Sequence, residues 1–310
     1  MALRQRDRQV ILISDETTFG DASKAVTMAS DGTMSFEAGK NMVDLPRKRF
    51  QLTDTTRRNV IGRKTPSLTI SSPLYIDFID LLESYLDVDE DTLTSELDDS
   101  FCIRQLTPTG AAAGSGIEAP GCKPNNITLS QTDGIWMISL QSNAKSIELE
   151  KAVTALTGFD LTTDIPLDDT PERFDASGTC TITPYDGVGG ILGTPITIML
   201  EDLNISLNYE RAEDQKRFRN SQTVVDDLIC RATGEATITH TWDDADPFEG
   251  RFFTEGLKFR FLYDQGVNGL EIDFDFQMTN IDKPDDTQCV YSGVITAQIV
   301  DKFKIVEGTA

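Results

Sequence analysis

Two stretches decide how this chain is read. Residues 48–70 are KRFQLTDTTRRNVIGRKTPSLTI, and residues 216–238 are KRFRNSQTVVDDLICRATGEATI. They align without a gap at a spacing of 168 residues. Nine of 23 positions are identical: Lys48/Lys216, Arg49/Arg217, Phe50/Phe218, Thr55/Thr223, Ile61/Ile229, Arg63/Arg231, Thr65/Thr233, Thr69/Thr237 and Ile70/Ile238. Ordinary composition gives about one or two such identities. The chain therefore reads as a duplicated unit.

The surroundings repeat as well. Before the first stretch, residues 34–38 (MSFEA) alternate apolar and polar, the period of a half-buried strand. Before the second, residues 205–209 (ISLNY) do the same. A polar, Lys/Arg-rich loop separates each alternating segment from a longer strand, 60–70 in one copy and 228–241 in the other. Ser72-Pro73 and Asp246-Pro247 then supply a helix cap followed by proline. The first helix, LYIDFIDLLESYL (74–86), puts Leu74, Phe78, Leu81, Leu82 and Tyr85 on one face. The second, FEGRFF, is short and stops at Gly256. FCIRQL (101–106) and LKFRFL (257–262) close the units as strands, with Arg104 matched to Arg260.

The rest is read as mostly β. A first strand covers 8–14. Residues 127–141 form a hairpin about Thr132-Asp-Gly134. LEIDFDF, within 270–278, alternates Leu, Ile and Phe with Glu and Asp, and 291–303 is the last strand. Residues 107–125, rich in Gly, Ala and Pro, are expected to be a loop, and 144–158 a helix. Residues 162–174, with two prolines and four acids, suit a linker. The expected fold is mainly β: two tandem β-sandwich domains, 1–165 and 166–310, each with one flanking helix and a long hairpin loop.

Charge is uneven. The net charge is −23, yet residues 1–64 hold 12 Lys/Arg against 8 Asp/Glu. So acidic a chain repels nucleic-acid phosphates over most of its surface. The five cysteines are widely spaced, with no C-x-x-C, and read as buried free thiols rather than as disulfides or zinc ligands. No apolar run approaches the 18 or so residues of a membrane-spanning helix, and no secretory segment opens the chain, so no membrane partner is expected.

Catalytic patterns are sparse. The single histidine, His240, has no second His or Cys spaced nearby, and reads as structural rather than as a metal ligand with Asp243, Asp244 or Asp246. Residues 87–98 (DVDEDTLTSELD) resemble a calcium loop but lack its glycine and its final glutamate. GVGGILG (187–193) leads into a strand, not into the helix N-terminus a phosphate loop needs. No G-x-S-x-G or P-loop pattern occurs. No enzyme activity, cofactor or metal is expected.

DETTFGDAS (15–23), just after the first strand, resembles the E-T-T-(aromatic)-G opening of the tail tube proteins, or major tail proteins, of long-tailed bacteriophages. The second copy lacks that motif and reads TPYDGVGG instead. The resemblance implies a β-sandwich with one helix and a long loop. Six such domains close a ring, and rings stack into a tube that conducts the genome. A doubled domain implies a homotrimer with pseudo-sixfold symmetry in a siphophage virion, assembled in the host cytoplasm. The tape measure and tail terminator proteins are the implied partners, and DNA passes through without specific binding. On this reading Arg47, Lys48, Arg49, Phe50, Arg57 and Arg58 form an inter-ring stacking loop. Lys216, Arg217, Phe218 and Arg219 form its second copy. Glu271, Asp273 and Asp275 are candidate lumen acids. The alternative is a virion β-sandwich adhesin or host-recognition module.

Overall fold

The fold is that of a computed structural model. It describes residues 9–22, 25–30, 32–37, 40–44, 59–64, 66–89, 99–132, 134–157, 177–185, 192–211, 229–242, 257–266, 269–282 and 291–307. In chain order the strands begin β1 (Val10–Asp15), β2 (Met28–Ser30), β3 (Thr33–Glu37), β4 (Lys40–Asp44), β5 (Asn59–Lys64) and β6 (Ser67–Pro73). Two short helices follow, α1 (Ile76–Leu81) and α2 (Glu83–Leu86). Then come β7 (Asp87–Asp89), β8 (Phe101–Gly110), β9 (Ala113–Thr132), β10 (Ile135–Asn143) and β11 (Glu148–Val153). The second half holds β12 (Thr179–Pro184), β13 (Ile196–Arg211), β14 (Ile229–Trp242), β15 (Phe259–Asp264), β16 (Leu270–Asp282) and β17 (Tyr291–Glu307).

Fifteen strands join one antiparallel sheet, and β4 and β5 form a separate hairpin. The pairing follows the same steps twice. In the first half β3, β6, β10, β9, β8 and β1 are successive neighbours, and β1 returns to pair with β2, just before β3. In the second half β13, β14, β17, β16, β15 and β12 are successive neighbours, and β12 returns to the start of β13. Each half carries a bulge at the matching step. Asn125 of β9 is skipped opposite Gln141 and Ser142, and Thr279 of β16 is skipped opposite Thr296 and Ala297. Two discrete domains are not resolved. β13 pairs with β9 from Asn204↔Ser130 to Asn208↔Asn126, and one sheet runs through both halves.

Alternation sets the layers. Along β13, Leu203, Ile205, Leu207 and Tyr209 are buried, while Asn204 and Asn208 between them are exposed. The buried faces meet in one core. Trp136 of β10 packs edge-on against Tyr263 of β15 at 5.2 Å, although these strands are not neighbours in the sheet. The arrangement is sandwich-like: β3, β6, β10, the second half of β9, β13, β14, β17 and the end of β16 form one layer. β1, β8, β12, β15 and the starts of β9 and β16 form the other. The helices add Phe78, Leu82, Tyr85 and Leu86 to the same core. Tyr85 ties the halves together: Tyr209 donates its hydroxyl to the Tyr85 carbonyl at 2.6 Å, and the two rings meet edge-on.

Four sequence expectations change. Residues 144–158 are not a helix; they contain β11, which pairs along Gly114–Gly116 of β9. An open strand edge gains backbone partners there, which outweighs a weak helix preference. Residues 107–125 are not a loop but the β8–β9 hairpin, because β8 and β11 flank β9 and supply its backbone partners. Ser72 does not cap the helix. Its hydroxyl is taken up by Ser30 at 2.6 Å and the Pro73 carbonyl at 3.0 Å, and α1 starts after Tyr75 with no side-chain cap. The strand expected over 60–70 is two strands, β5 and β6, with different partners. The linker at 162–174 and the second helix at 248–253 lie outside the described residues. No helix among the described residues is long and apolar enough to cross a membrane.

Candidate functional site

The E-T-T-F-G segment forms a corner lock. It follows β1, whose last residues pair with β8. The Glu16 carboxylate accepts from the Gly20 amide at 2.9 Å, from the Gly121 amide at 3.0 and 3.2 Å, and from the Ser100 hydroxyl at 2.8 Å. Charge-assisted bonds of this kind are stronger than neutral ones. The Phe19 ring lies 5.2 Å from the Lys123 ammonium and 5.4 Å from that of Lys145, and Lys145 also donates to the Phe19 carbonyl at 3.0 Å. Gly20 and Gly121 have φ of +76° and +67°, and a Cβ on Gly20 would stand 2.0 Å from the Lys145 side chain. Only glycine fits both the left-handed backbone and the close approach. The motif thus pins the β1–β2 loop onto β9, onto Ser100 just before β8 and onto Lys145 just after β10.

Two arginines, Arg104 buried and Arg260 half-buried, hold the outer faces of the second layer. Arg104 on β8 donates to Glu118 on β9 at 2.8 Å and to Ser14 on β1 at 3.0 Å, with Arg104 fully buried. Arg260 on β15 donates to both carboxylate oxygens of Asp273 on β16, at 2.8 Å each, and Lys302 on β17 joins the same carboxylate. Burial opposes charge on Asp273, but the bonds from Arg260 and Lys302 outweigh it, and its pKa lies below the ordinary carboxylate value. Asp275, two residues on, behaves oppositely. Burial, reinforced by the charge of Asp273, raises its pKa despite a hydrogen bond from Tyr185. The pairs Phe101↔Cys122 and Phe259↔Phe276 occupy matching steps, and in that frame Arg104 lies two residues beyond the place of Arg260.

The open face of the first layer differs in kind. Cross-strand partners place Ser71, Ser139, Thr128, Ser206, Glu235 and Gln298 in one row. The next row is Thr69, Gln141, Asn126, Asn208 and Thr233. A third is Met137, Ser130, Asn204, Thr237, Thr296 and Asn280. Hydrogen bonds run between these groups: Asn126 donates to Ser206 at 2.9 Å and to Asn208 at 2.8 Å, and Thr128 donates to Asn126 at 2.8 Å.

Comparison with known proteins adds little. No protein-family model matches the sequence. No curated protein matches it. Among solved structures, the tail tube of SPP1, determined by solid-state NMR and cryo-EM, overlaps with this chain at a TM-score of 0.30 and 8% identity. The overlap covers 43% of this chain and 78% of that one. A likeness of that size carries no argument about this chain.

The residues singled out from sequence fall in three places. Arg47, Lys48, Arg49, Phe50, Arg57 and Arg58 lie outside the described residues, but the hairpin that bears them is present, with Asp44↔Asn59 at its base. Lys216, Arg217, Phe218 and Arg219 also lie outside; their stem is the β13–β14 pair ending at Arg211↔Ile229. Glu271, Asp273 and Asp275 share one side of β16, next to Arg260 and Lys302; Asp273 is 1% exposed. Residues 90–98 of the acidic loop lie outside. His240 is fully buried, and no group of three His, Cys, Asp or Glu among the described residues could hold a metal ion. Cys102, Cys122 and Cys180 are buried free thiols. The polar rows were not singled out from sequence. Their signal was present as strands whose polar positions are Ser, Thr, Asn and Gln.

Proposed function

We propose that this chain is a non-enzymatic structural protein of a phage virion, whose copies close rings that stack into a tail tube for DNA ejection. The internal junction of β9 with β13 carries the proposal. In the twofold pairing path the counterpart of β13 is β3, and the counterpart of β9 is β16. Among the described residues β3 has one strand neighbour, β6, and residues 277–282 of β16 have one, β17. One copy's β3 laid against the next copy's β16 repeats the internal junction and leaves no open edge. Three chains of two units, 1–165 and 166–310, close a pseudo-sixfold ring. The basic loop with Arg47, Lys48, Arg49, Phe50, Arg57 and Arg58 reaches an acidic face of the adjacent ring. Lys216, Arg217, Phe218 and Arg219 do so from the second unit. Tape measure and terminator proteins occupy the ends.

Negative-stain electron microscopy of the purified chain, with sedimentation, tests this. Rings or tubes with three- or six-fold end views are expected. A chain that stays monomeric at high concentration overturns the reading. Deleting 44–56 is expected to leave rings that do not stack.

A further inference from the structure

The polar rows of the first layer, with a single charge among them, require an explanation. A quarter of the chain's residues are charged, so seventeen solvent-facing positions would hold about four charges at that rate. They hold one, Glu235. No Lys or Arg stands among them, although Arg231 lies just beyond, opposite Glu210. Charge has been kept out of these central rows, whereas the rows beyond them hold Asp202 and Asp282 on one side and Glu210, Arg231 and Glu37 on the other.

Resting on the ring reading above, we infer that this face is the wall of the channel, and that Glu235 is the only charge in its central rows. The geometry gives the direction. The apolar side of these strands is covered by the second layer and the helices, with Trp136 against Tyr263 and Tyr209 against Tyr85. A sheet that curls into a ring has less room on its concave side, so the covering layer takes the convex side. The bare hydroxyl and amide rows then face inward. The rows cross the internal junction unbroken, from Thr128 to Ser206 and from Asn126 to Asn208. Each copy therefore contributes a continuous strip.

The chemistry fits a passing polyanion that must not stick. Affinity for nucleic-acid backbones comes chiefly from Lys and Arg that displace condensed counterions. The central rows of this wall offer no cation to a phosphate, and Arg231, just beyond them, stands opposite Glu210. Several of its amides and hydroxyls already bond one another, as Asn126 does with Ser206 and Asn208, which leaves them fewer donors for a ligand. Glu235, exposed in the middle row, adds one ring of weak repulsion per stacked ring. The rival assignment is the acid trio Glu271, Asp273 and Asp275. In the present geometry that trio lies on the start of β16, which belongs to the second layer, and on the outer side of the wall.

A positional label separates these. Thr237→Cys, on an exposed wall position, would be tagged with a maleimide-linked gold cluster on preformed assemblies and imaged, with the untagged parent chain as control for native thiols. A central line of label along the tube is expected. Thr296→Cys, in the same row, serves as a second variant, and Leu149→Cys, 53% exposed on β11, should label the outer edge. Label at the outer edge from Thr237→Cys overturns the wall assignment while the tube itself stands. A central line from Glu271→Cys also overturns it, in favour of the acid trio. If both wall variants fail to assemble where the parent assembles, the face makes contacts and is not a wall. If the parent forms neither rings nor tubes, the ring reading itself has failed.

Discussion

Along β16, residues 271–276 have strand neighbours on both sides, β15 and β17, whereas, among the described residues, 277–282 pair with β17 alone. The first part buries Ile272, Phe274 and Phe276 completely and meets its charges within the chain, Asp273 with Arg260 and Lys302. The second part carries Gln277, Thr279, Asn280 and Asp282, and among the described residues its other edge has no strand partner. Its counterpart in the first half, residues 123–128 of β9, meets β13 from Asn126 onward and is there paired on both sides. The twice-flanked part thus holds a charge that the chain itself satisfies, whereas residues 277–280 are uncharged and the segment's one charge, Asp282, stands at its end.

The sharpest way to break this contrast is Phe274→Ala. Phe274 is fully buried and stacks on Phe261 at 4.8 Å, so the substitution should cost about 3–5 kcal/mol in chemical denaturation. Asp273→Asn comes next. It leaves Arg260 and Lys302 without their shared carboxylate, and should cost about 1–3 kcal/mol at pH 7, less than a fully buried pair because those two side chains are 35% and 39% exposed. The folded-state pKa of Asp273 is depressed, so its contribution is present above the unfolded carboxylate pKa and lost as pH falls through the folded value. The gap between parent and variant should therefore close on acidification, in denaturation series across pH.

Asp275→Asn should have the opposite sign. Its folded pKa is raised, first by burial, so its favourable contribution is present below the unfolded pKa and lost as pH rises through the folded one. At pH 7 the variant should be as stable as the parent or more stable by up to about 1 kcal/mol. A clear loss of stability would show that the Tyr185 contact outweighs the burial of charge. The smallest effect on the chain itself is expected from Phe36→Lys on β3. Phe36 is 38% exposed, and the substitution should change stability by less than about 1 kcal/mol. A lysine on an edge strand opposes further pairing, so association measured by sedimentation should be lost. Retained assembly would remove β3 from the chain-to-chain contact.

Much of the strand order was legible because alternation is a local property. Met34, Leu203 and Ile205 mark inward positions whatever they pair with, while Phe36, in the same alternation, stays 38% exposed on β3. Of the matched stretches at 48–70 and 216–238, the described ends fall on β6 and β14, which hold corresponding places in the pairing path. The β8–β9 hairpin and β11 were not legible. Gly114, Ser115 and Gly116 carry no strand preference of their own, and only the flanking strands make them one. The role of Glu16 was equally hidden, since its partners Ser100 and Gly121 lie 84 and 105 residues away. The acids of β16 were visible, but not their cations, because Lys302 reaches Asp273 from 29 residues along the chain.

The junction of β9 with β13 also bears on how this molecule responds to dilution. Its two strands belong to one polypeptide, so their meeting is a first-order event with an effective concentration on the order of millimolar, set by the intervening chain. Diluting the protein does not loosen that seam. Any contact made by the free edges of β3 and β16 is second-order and weakens with every dilution. On the ring reading, a single polypeptide thus combines an intramolecular seam with edges whose occupancy would report how many other copies are nearby.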